Sequence, residues 1–327
     1  MKHYLQLYID SFQAYLEKTK VGHLPASLYD PAQYILDLGG KRIRPILVLL
    51  GTHLYDETFS RALPAAFSIE VFHNFTLAHD DIMDNADVRR GKATMHKKFS
   101  LNQAILTGDA MMIHSFKSLL SYEELALSRQ LMEVFTNMAV GLCEGQQMDM
   151  DFELENTVSI GDYIKMIELK TAILLGAALK IGALIGFAPQ NDAEHLYQFG
   201  LNFGIAFQLQ DDVLDVFGDG GDVGKKIGGD IIQNKKTYLY LKALELAGDE
   251  EKKELLYLYS DQHNATVKDK VERVTTIFKS LVVKEYAQQV MEAYRDLAVS
   301  HIYSTTLLST KKEILVQFID DFLHRKS

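Results

Sequence analysis

The sequence predicts an all-α protein, and three observations lead to that prediction. Apolar residues recur three and four positions apart through most of the chain, which is the spacing of one face of an α-helix. The 327 residues include only 5 prolines, so long helices can form without interruption. No stretch alternates apolar and polar residues as a half-buried strand does. Because no linker or low-complexity tract is present, we expect a single domain over residues 1–327.

The breaks between helices are marked by proline and glycine. Pro25 precedes one helical segment, and Gly39-Gly40 ends it, since glycine tolerates the left-handed backbone that terminates a helix. Another segment starts at Ser159 or Gly161 and carries Lys170. The remaining predicted helices cover residues 4–17, 28–38, 46–54, 63–84, 103–120, 124–150 and 195–215, and the chain from 238 onward with breaks at 247–249 and 261–266.

Charge and composition limit the classes of function. The formal net charge of −10 argues against nucleic acid and anionic membranes as general partners. No secretory signal and no clean apolar span are visible, so we expect a cytoplasmic protein without stable membrane insertion. The single cysteine, Cys143, cannot form an intramolecular disulfide, and we expect it to be buried.

The main functional signal is a group of three carboxylates near the end of the segment 63–84. Asp80, Asp81 and Asp84 stand at positions i, i+1 and i+4, so Asp80 and Asp84 share a helical face and Asp81 flanks them. Such crowded acids repel one another unless a positive charge lies among them. Carboxylates suit Mg²⁺, which bridges one or two acids to substrate phosphates. For one such group alone, the alternative is a solvated helix end.

The same spacing occurs again in a distant part of the chain. Asp211, Asp212 and Asp215 stand at the end of another apolar run, and Gln208 precedes them by one helical turn. Two solvated helix ends of identical spacing are a less economical explanation than one metal site with two acidic sides. The repeat therefore predicts that both groups bind Mg²⁺.

Basic residues suited to a diphosphate accompany these acids. Lys41, Arg42 and Arg44 directly follow Gly39-Gly40, which combines accessible backbone amides with fixed positive charge. A solvated basic turn is the alternative. His73 lies about two turns before Asp81 on the same helical face, where it is either a core group or a substrate contact.

Two further segments carry basic residues. Lys170 and Thr171 precede a strongly apolar run, where a buried ammonium group requires an anion. The glycine-rich region 217–230 contains Lys225 and Lys226, and Lys235 follows it. This region lacks the spacing of a nucleotide-binding P-loop, but it could close over a phosphate.

In their order and spacing these motifs resemble those of the trans-isoprenyl diphosphate synthases, the polyprenyl synthetase family, over essentially the whole chain. The matching motifs are Gly39-Gly40-Lys41-Arg42-Ile43-Arg44-Pro45, Asp80-Asp81-Ile82-Met83-Asp84 with Arg89-Arg90-Gly91, Gly145-Gln146-Gln147-Met148-Asp149, Lys170-Thr171, Gln208 with Asp211-Asp212-Val213-Leu214-Asp215, Lys226 and Lys235. The resemblance implies the isoprenoid synthase type I fold, a helical bundle around a central cavity. It also implies a homodimer that condenses isopentenyl diphosphate with an allylic diphosphate.

The resemblance further implies a role for each matching residue. Mg²⁺, with three ions expected in a substrate-loaded site, would be held by Asp80, Asp84 and Asp211, supported by Asp81 and Asp215. The allylic diphosphate would contact Arg89, Lys170, Lys235 and, from its sequence context, Lys226 rather than Lys225. Isopentenyl diphosphate would contact Lys41, Arg44, His73 and Arg90. Gln208 and Thr171 would direct oxygen atoms at the allylic cation, and Asp212 belongs to the same catalytic group.

Product length is predicted from the residues below the first acidic group. Phe75 lies five positions before Asp80, about 7.5 Å lower along a helix. Phe75, followed by the smaller Thr76, resembles the short-chain members that make geranylgeranyl diphosphate. Farnesyl diphosphate or a longer polyprenyl diphosphate is the alternative product.

Other functions remain open at this point. A class I terpene cyclase also uses an aspartate-rich motif, although it needs neither a second such motif nor a binding site for isopentenyl diphosphate. His79-Asp80 fits an HD-type phosphohydrolase, which leaves the repeated motif unexplained. A non-catalytic synthase subunit is a third alternative, although every acidic and basic residue of the motifs is present.

Overall fold

A computed structural model describes residues 3–155, 157–218, 227–260 and 263–323, and the all-α prediction is confirmed. The helices are α1 Gln6–Lys18, α2 Ala26–Asp37, α3 Ile43–His53, α4 Leu63–Met83, α5 Met95–Lys98, α6 Leu101–Leu119, α7 Leu125–Leu154, α8 Ile160–Ile167, α9 Ile173–Ile185, α10 Gln190–Phe217, α11 Gly229–Ile232, α12 Tyr238–Leu246, α13 Asp249–Leu258, α14 Val267–Ser280, α15 Val283–Tyr303 and α16 Ser309–Leu323. Short 3-10 turns cover His3–Leu5 and Phe59–Ala62, and a π-helical turn covers Glu168–Ala172.

Local chemistry explains several helix boundaries. The helix expected from residue 46 begins at Ile43, because Pro45 is tolerated in a first turn where backbone donors have no helical partner. Ser159 caps α8: its hydroxyl accepts from the amide of Asp162, whose carboxylate accepts from the amide of Ser159.

One small sheet was not predicted. Strands β1, Val88–Arg89, and β2, Lys92–Ala93, pair antiparallel with Val88 opposite Ala93. Two residues per strand are too few to show an alternating pattern. The turn between them, Arg90-Gly91, has φ values of 52° and 74°. Positive φ at both central residues gives a twist that matches the flanking strands.

The chain divides into two compact units. The first comprises the described residues of 1–137 and 177–197, and the second comprises those of 138–176 and 198–327. The single domain over 1–327 therefore stays a prediction.

The first unit is built on α3 and α4, which are buried on most sides. Leu47, Val48 and Leu49 of α3 are fully buried. A Cβ atom added to Gly182 would lie 2.2 Å from the carbonyl oxygen of Val48, so only glycine permits this approach of α9 to α3. The Thr52 hydroxyl donates to the Gly182 carbonyl oxygen at 2.8 Å, which satisfies a polar group in this contact.

The second unit is built on α10. Phe199, Phe203 and Leu209 are fully buried, and the Phe203 ring packs edge-on against Phe318 of α16 at 5.2 Å between centroids. The part of α10 that precedes the second acidic group is thus packed in an aromatic core.

Two further expectations concern the burial of Cys143 and membrane-spanning helices. Cys143 is exposed, so the expectation of a buried thiol is wrong; position 143 falls on an outer face of α7, next to the buried Leu142. None of the helices in the described part of the chain is long and apolar enough to cross a bilayer.

Candidate active site

The first acidic group lies at the C-terminal end of α4, in the first unit. Asp80 is partly exposed and Asp84 is exposed, whereas Asp81 is only 1% exposed. The buried Asp81 carboxylate accepts from Nε and Nη2 of Arg89 at 2.8 and 2.7 Å. Asp81 therefore anchors Arg89, while Asp80 and Asp84 keep accessible carboxylates one helical turn apart.

Three of the residues predicted to hold isopentenyl diphosphate come together beside α4. Arg44 Nη1 donates to Nε2 of His73 at 3.2 Å, which places the ring proton of a neutral His73 on Nδ1. A Cβ atom on Gly40 would lie 2.8 Å from Nη2 of Arg90, so this glycine allows Arg90 to approach. The fourth predicted residue, Lys41, is exposed.

The electrostatics of this basic cluster favour an anion. Burial, followed by the charges of Arg44, Arg90, Arg89 and Arg42, holds the pKa of His73 well below 6.5. His73 is therefore neutral near pH 7 and donates or accepts as an uncharged ring. Guanidinium groups gathered around it are the donors that bind phosphate oxygens in pairs.

A buried acid under this cluster was missed from the sequence. Glu70 is 3% exposed, and its Oε1 accepts from Arg42 Nη1 at 2.6 Å and from Asn74 Nδ2 at 2.8 Å. Arg42 has a left-handed backbone with φ of 51°, and its Nη2 donates to the Leu36 carbonyl oxygen at 2.6 Å. Glu70 thus fixes the loop that presents Lys41 and Arg44. A carboxylate inside the apolar segment 63–79, one turn before His73, was the available signal.

The predicted chain-length residues are buried within α4. Phe75 is 9% exposed, and its ring packs edge-on against Phe72 at 5.3 Å and against His79 at 4.9 Å between centroids. The Thr76 hydroxyl donates to the His73 carbonyl oxygen at 2.8 Å. Phe75 therefore has a fixed ring position five residues before the acidic group.

In the second unit, Lys170 and Thr171 lie in the π-helical turn. A Cβ atom on Gly145 of α7 would lie 2.4 Å from the Lys170 amide nitrogen, and one on Gly204 of α10 would lie 2.5 Å from Cα of Ala172. The turn is therefore in close contact with two helices at positions where only glycine fits. Single π-turns inside helices occur often at functional sites.

Side chains from two helices, α7 and α10, hold these two residues. Lys170 Nζ donates to the Asp149 carboxylate of α7 at 2.5 Å, with each side chain about one quarter exposed. The Thr171 hydroxyl donates to Oε1 of Gln208 at 3.2 Å, and Gln208 Nε2 donates to Oδ1 of Asp212 at 3.1 Å. Asp149 was missed as the partner of Lys170, although it closes the matching motif that begins at Gly145.

The middle acid of the second group is buried like that of the first. Asp212 is 2% exposed, and its Oδ2 accepts from the hydroxyl of the buried Tyr163. Burial first, and the charge of Asp230 second, raise the pKa of Asp212 well above its ordinary value. With both oxygens engaged by Tyr163 and Gln208, Asp212 orients Gln208, whereas Asp211 is partly exposed.

The last acid of this group, Asp215, connects to Asp230, the last residue of the glycine-rich region. Asp215 Oδ2 accepts from the amide of Asp230 at 3.0 Å. Lys235 and Lys236 both line a cavity of about 220 Å³, and Lys236 also donates to the carbonyl oxygens of Phe152 and Glu155 and so caps the end of α7. Lys225 and Lys226 lie outside the described residues.

The cavity in the second unit is lined by polar groups together with the apolar residues Phe152, Met166 and Ile167. Its polar lining consists of Asp149, Glu153, Tyr163, Lys170, Thr171, Gln208, Asp212, Asp230, Asn234, Lys235, Lys236 and Thr237. The ammonium groups of this lining suit the anionic oxygens of a ligand, and its carboxylates suit cations bound to the same ligand.

The acidic residues fit Mg²⁺ in the form in which proteins usually bind it. Among the described residues, no three His, Cys, Asp or Glu side chains are already clustered as a metal site. Mg²⁺ is normally held by one or two carboxylates together with water and substrate phosphates. The accessible Asp80 and Asp84, and the partly exposed Asp211, offer this kind of donor set.

Comparison with known proteins shows one consistent likeness. Residues 25–278 match the model of the family described as polyprenyl synthetase. The chain is 36% identical over 288 residues to the short chain isoprenyl diphosphate synthase of Methanocaldococcus jannaschii, covering 88% of this chain and 84% of that protein. It is 35% identical over 311 residues to the geranylgeranyl diphosphate synthase of Sulfolobus acidocaldarius, covering 93% and 92%.

A solved structure extends this likeness to the fold. The crystal structure of a geranylgeranyl pyrophosphate synthase superposes with a TM-score of 0.93 and 43% identity, covering 100% of both chains. The predicted isoprenoid synthase type I fold is confirmed by this match.

Proposed function

Since the chain belongs to the polyprenyl synthetase family, we propose that it is a Mg²⁺-dependent prenyltransferase that joins isopentenyl diphosphate head to tail to an allylic diphosphate. The observation that carries the proposal is the repeated acidic group. In each copy the middle carboxylate is buried among hydrogen-bond donors, while the first carboxylate stays accessible. That arrangement suits metal-bridged binding of a diphosphate.

In this proposal the allylic diphosphate is bound by Arg89, Lys170 and Lys235, and by Lys226 outside the described residues. Mg²⁺ held by Asp80, Asp84 and Asp211 would neutralise the charge that develops on the leaving diphosphate. Asp81 keeps Arg89 in place, Asp215 supports the second acidic group, and Asp149 holds Lys170. The number of ions, expected to be three, stays part of the proposal.

The second substrate is assigned to the basic cluster of the first unit. Lys41, Arg44, His73 and Arg90 would bind the diphosphate of isopentenyl diphosphate and hold its double bond near the allylic carbon. The hydroxyl oxygen of Thr171 and the amide oxygen of Gln208 would direct negative dipoles at the allylic cation. Asp212 keeps Gln208 in that orientation. The departed diphosphate is the proposed acceptor of the proton that is finally lost.

We propose geranylgeranyl diphosphate as the product, with farnesyl diphosphate as the nearest alternative. Support comes from the buried, ring-packed Phe75 and its neighbour Thr76. The relative from Sulfolobus acidocaldarius and the superposed crystal structure carry the geranylgeranyl name.

A homodimer is proposed from an exposed apolar row that runs along α6 and ends at its C-cap residue, Leu120. Leu106, Ile113 and Leu120 recur seven residues apart and are 59%, 63% and 61% exposed. A row of this kind is a surface that a second copy of the chain would cover. Light scattering should show a dimer for the wild type and a monomer for Ile113→Glu; a wild-type monomer would contradict the proposal. A cytoplasmic location stays a prediction.

Incubating the purified protein with Mg²⁺, isopentenyl diphosphate and each allylic diphosphate in turn tests the function. We expect a lengthened diphosphate, with twenty carbons as the end point by chromatography, and no turnover after chelation of the metal. A cyclic hydrocarbon would indicate a terpene cyclase, and phosphate release without elongation would indicate a phosphohydrolase. No reaction with any substrate would indicate a non-catalytic subunit.

A further inference from the structure

A buried lysine on α14 has no part in the function proposed above. Lys270 is 2% exposed and lies on the inner face of α14, in a row with Val274, Ile277 and Phe278. Its neighbour Lys268, by contrast, has a side chain that is 83% exposed. An ammonium group in an otherwise apolar row is expensive to bury unless specific partners receive it.

The partners of Lys270 are neutral. Its Nζ donates to Oδ1 of Asn234 and lies 5.3 Å from the ring centroid of Tyr259, which stacks on Tyr240 at 3.9 Å. Among the described residues, no carboxylate lies within ion-pair distance of this ammonium group. Burial accordingly lowers the pKa of Lys270. The Lys270 ammonium group thus makes one hydrogen bond, to Asn234, and one cation–π contact, with Tyr259.

Asn234 connects Lys270 to the cavity. It has a left-handed backbone, with φ of 57°, and directly precedes Lys235, whose amide donates to the Asp230 carbonyl oxygen at 2.9 Å. Asn234, Lys235 and Asp230 all line the cavity that contains Lys170 and Gln208. The side chain of Asn234 is therefore tied to α14 while its backbone sets the position of Lys235.

α14 also contacts the other end of the segment that leads to Asn234. Gly228 precedes α11 with φ of 79°, and a Cβ atom there would lie 2.7 Å from Cγ1 of Val271. Lys270 and Val271, adjacent on α14, thus contact both ends of the segment 228–234. This segment carries Asp230, whose amide donates to Asp215 of the second acidic group.

We propose that Lys270 is a positioning residue for the allylic diphosphate, acting through Asn234 on Lys235. This inference rests on the proposed function, because it assumes that Lys235 binds that diphosphate. It assigns to Lys270 an effect on one substrate only, since its contacts all lie in the second unit, whereas the proposed contacts of isopentenyl diphosphate lie in the first.

The test compares Lys270→Met with the wild type, using farnesyl diphosphate and isopentenyl diphosphate with Mg²⁺. Methionine keeps an unbranched stem but removes the charge and the hydrogen bond. We expect the KM for farnesyl diphosphate to rise about tenfold, the effect of losing one charge-assisted hydrogen bond. The KM for isopentenyl diphosphate should stay unchanged. Calorimetric binding of inorganic pyrophosphate with Mg²⁺ should weaken by a similar factor, while the melting temperature should not fall, since a buried charge has been removed.

Two further variants separate positioning from general stability. Asn234→Gly tolerates the left-handed backbone and should reproduce the effect of Lys270→Met, and the double variant should be no worse than either single one. Val274→Ala, one turn along the same face of α14, should lower the melting temperature without changing either KM.

The outcomes are distinguishable. If the wild type elongates no allylic diphosphate, the proposed function is overturned, whatever Lys270→Met does. If it elongates only allylic diphosphates shorter than farnesyl diphosphate, the twenty-carbon product is overturned, and the same comparison of Lys270→Met is made with the allylic diphosphate that the wild type elongates. If the wild type elongates an allylic diphosphate and Lys270→Met binds both substrates normally, or raises both KM values equally, only the role of Lys270 is overturned. Independent, additive effects of Lys270→Met and Asn234→Gly would also overturn it.

Discussion

Replacing Gly145 by alanine should damage the site through a measurable displacement. The added Cβ atom would lie 2.4 Å from the Lys170 amide nitrogen and 2.8 Å from the Leu169 carbonyl carbon. Ordinary van der Waals contact begins at 3.4 Å. Both close atoms belong to the backbone, so no side chain can swing away. The π-helical turn or α7 must therefore shift by about 1 Å, the difference between ordinary contact and the present approach.

A shift of this size acts directly on the proposed catalytic residues. Lys170 is held to Asp149 at 2.5 Å, and Thr171 to Gln208 at 3.2 Å, and both contacts depend on the position of the turn. Misplacing a binding group by about 1 Å can reduce a rate about 100-fold, so we expect a loss of that order in kcat. Overpacking should also reduce the free energy of unfolding by about 1–3 kcal/mol.

Gly161→Ala is the matched control. Among the described residues, and apart from its chain neighbours and the backbone of its own helix, a Cβ atom there would have one neighbour within 4 Å, the Ser159 hydroxyl oxygen at 3.6 Å, so alanine fits without movement. Because alanine favours a helix over glycine, this variant should gain about 0.5–1 kcal/mol of stability and keep its activity. The assay is elongation kcat together with urea denaturation of both variants. A folded Gly145→Ala protein with wild-type kcat would refute the reasoning.

Three other predictions follow from the first unit. Phe75→Ala should lengthen the product beyond twenty carbons, and an unchanged product on chromatography would remove Phe75 as the limit of chain length. Glu70→Gln removes the charge paired with Arg42. It should raise the KM for isopentenyl diphosphate about tenfold, the scale of a charge-assisted hydrogen bond, and leave the KM for the allylic diphosphate unchanged. Equal changes in both KM values would contradict a specific role of Glu70. Because the pKa of His73 is depressed below 6.5, neutral His73 contributes stability above pH 6.5 that is lost as the pH falls towards the lowered value. His73→Asn should flatten this part of a stability profile measured by denaturation at successive pH values, and parallel profiles would show that another group titrates.

The elements that the sequence predicts well are those determined by local rules. Helical periodicity, the expected helix start at Ser159 or Gly161 and the glycines near residue 40 place helix ends to within a few residues. The spacing of Asp80 and Asp84 places both carboxylates on one accessible face before any tertiary structure is known. These features need only the geometry of a single helix.

The features that escaped prediction depend on contacts between distant segments. The hydrogen bond from Lys236 to the carbonyl oxygen of Phe152, near the end of α7, joins residues 84 positions apart in the chain. The role of Glu70 depends on Arg42, 28 positions away in the chain, adopting a left-handed backbone. The π-helical turn at Lys170 arises where α7 and α10 contact it at glycines, and helical periodicity does not reveal such contacts.

In both acidic groups, helix geometry buries the middle carboxylate and leaves the first and last carboxylates accessible. Successive residues on a helix differ by about 100° in direction, so carboxylates at i and i+4 that face outward leave i+1 facing the interior. A buried carboxylate needs donors, and the two copies provide them differently: Asp81 receives the guanidinium of Arg89, whereas Asp212 receives the neutral groups of Tyr163 and Gln208. The first inner acid therefore positions a guanidinium group that is proposed to bind substrate, and the second positions a neutral amide. This difference corresponds to the two requirements of the proposed reaction, since the leaving diphosphate needs positive charge and the allylic cation needs an oriented oxygen dipole.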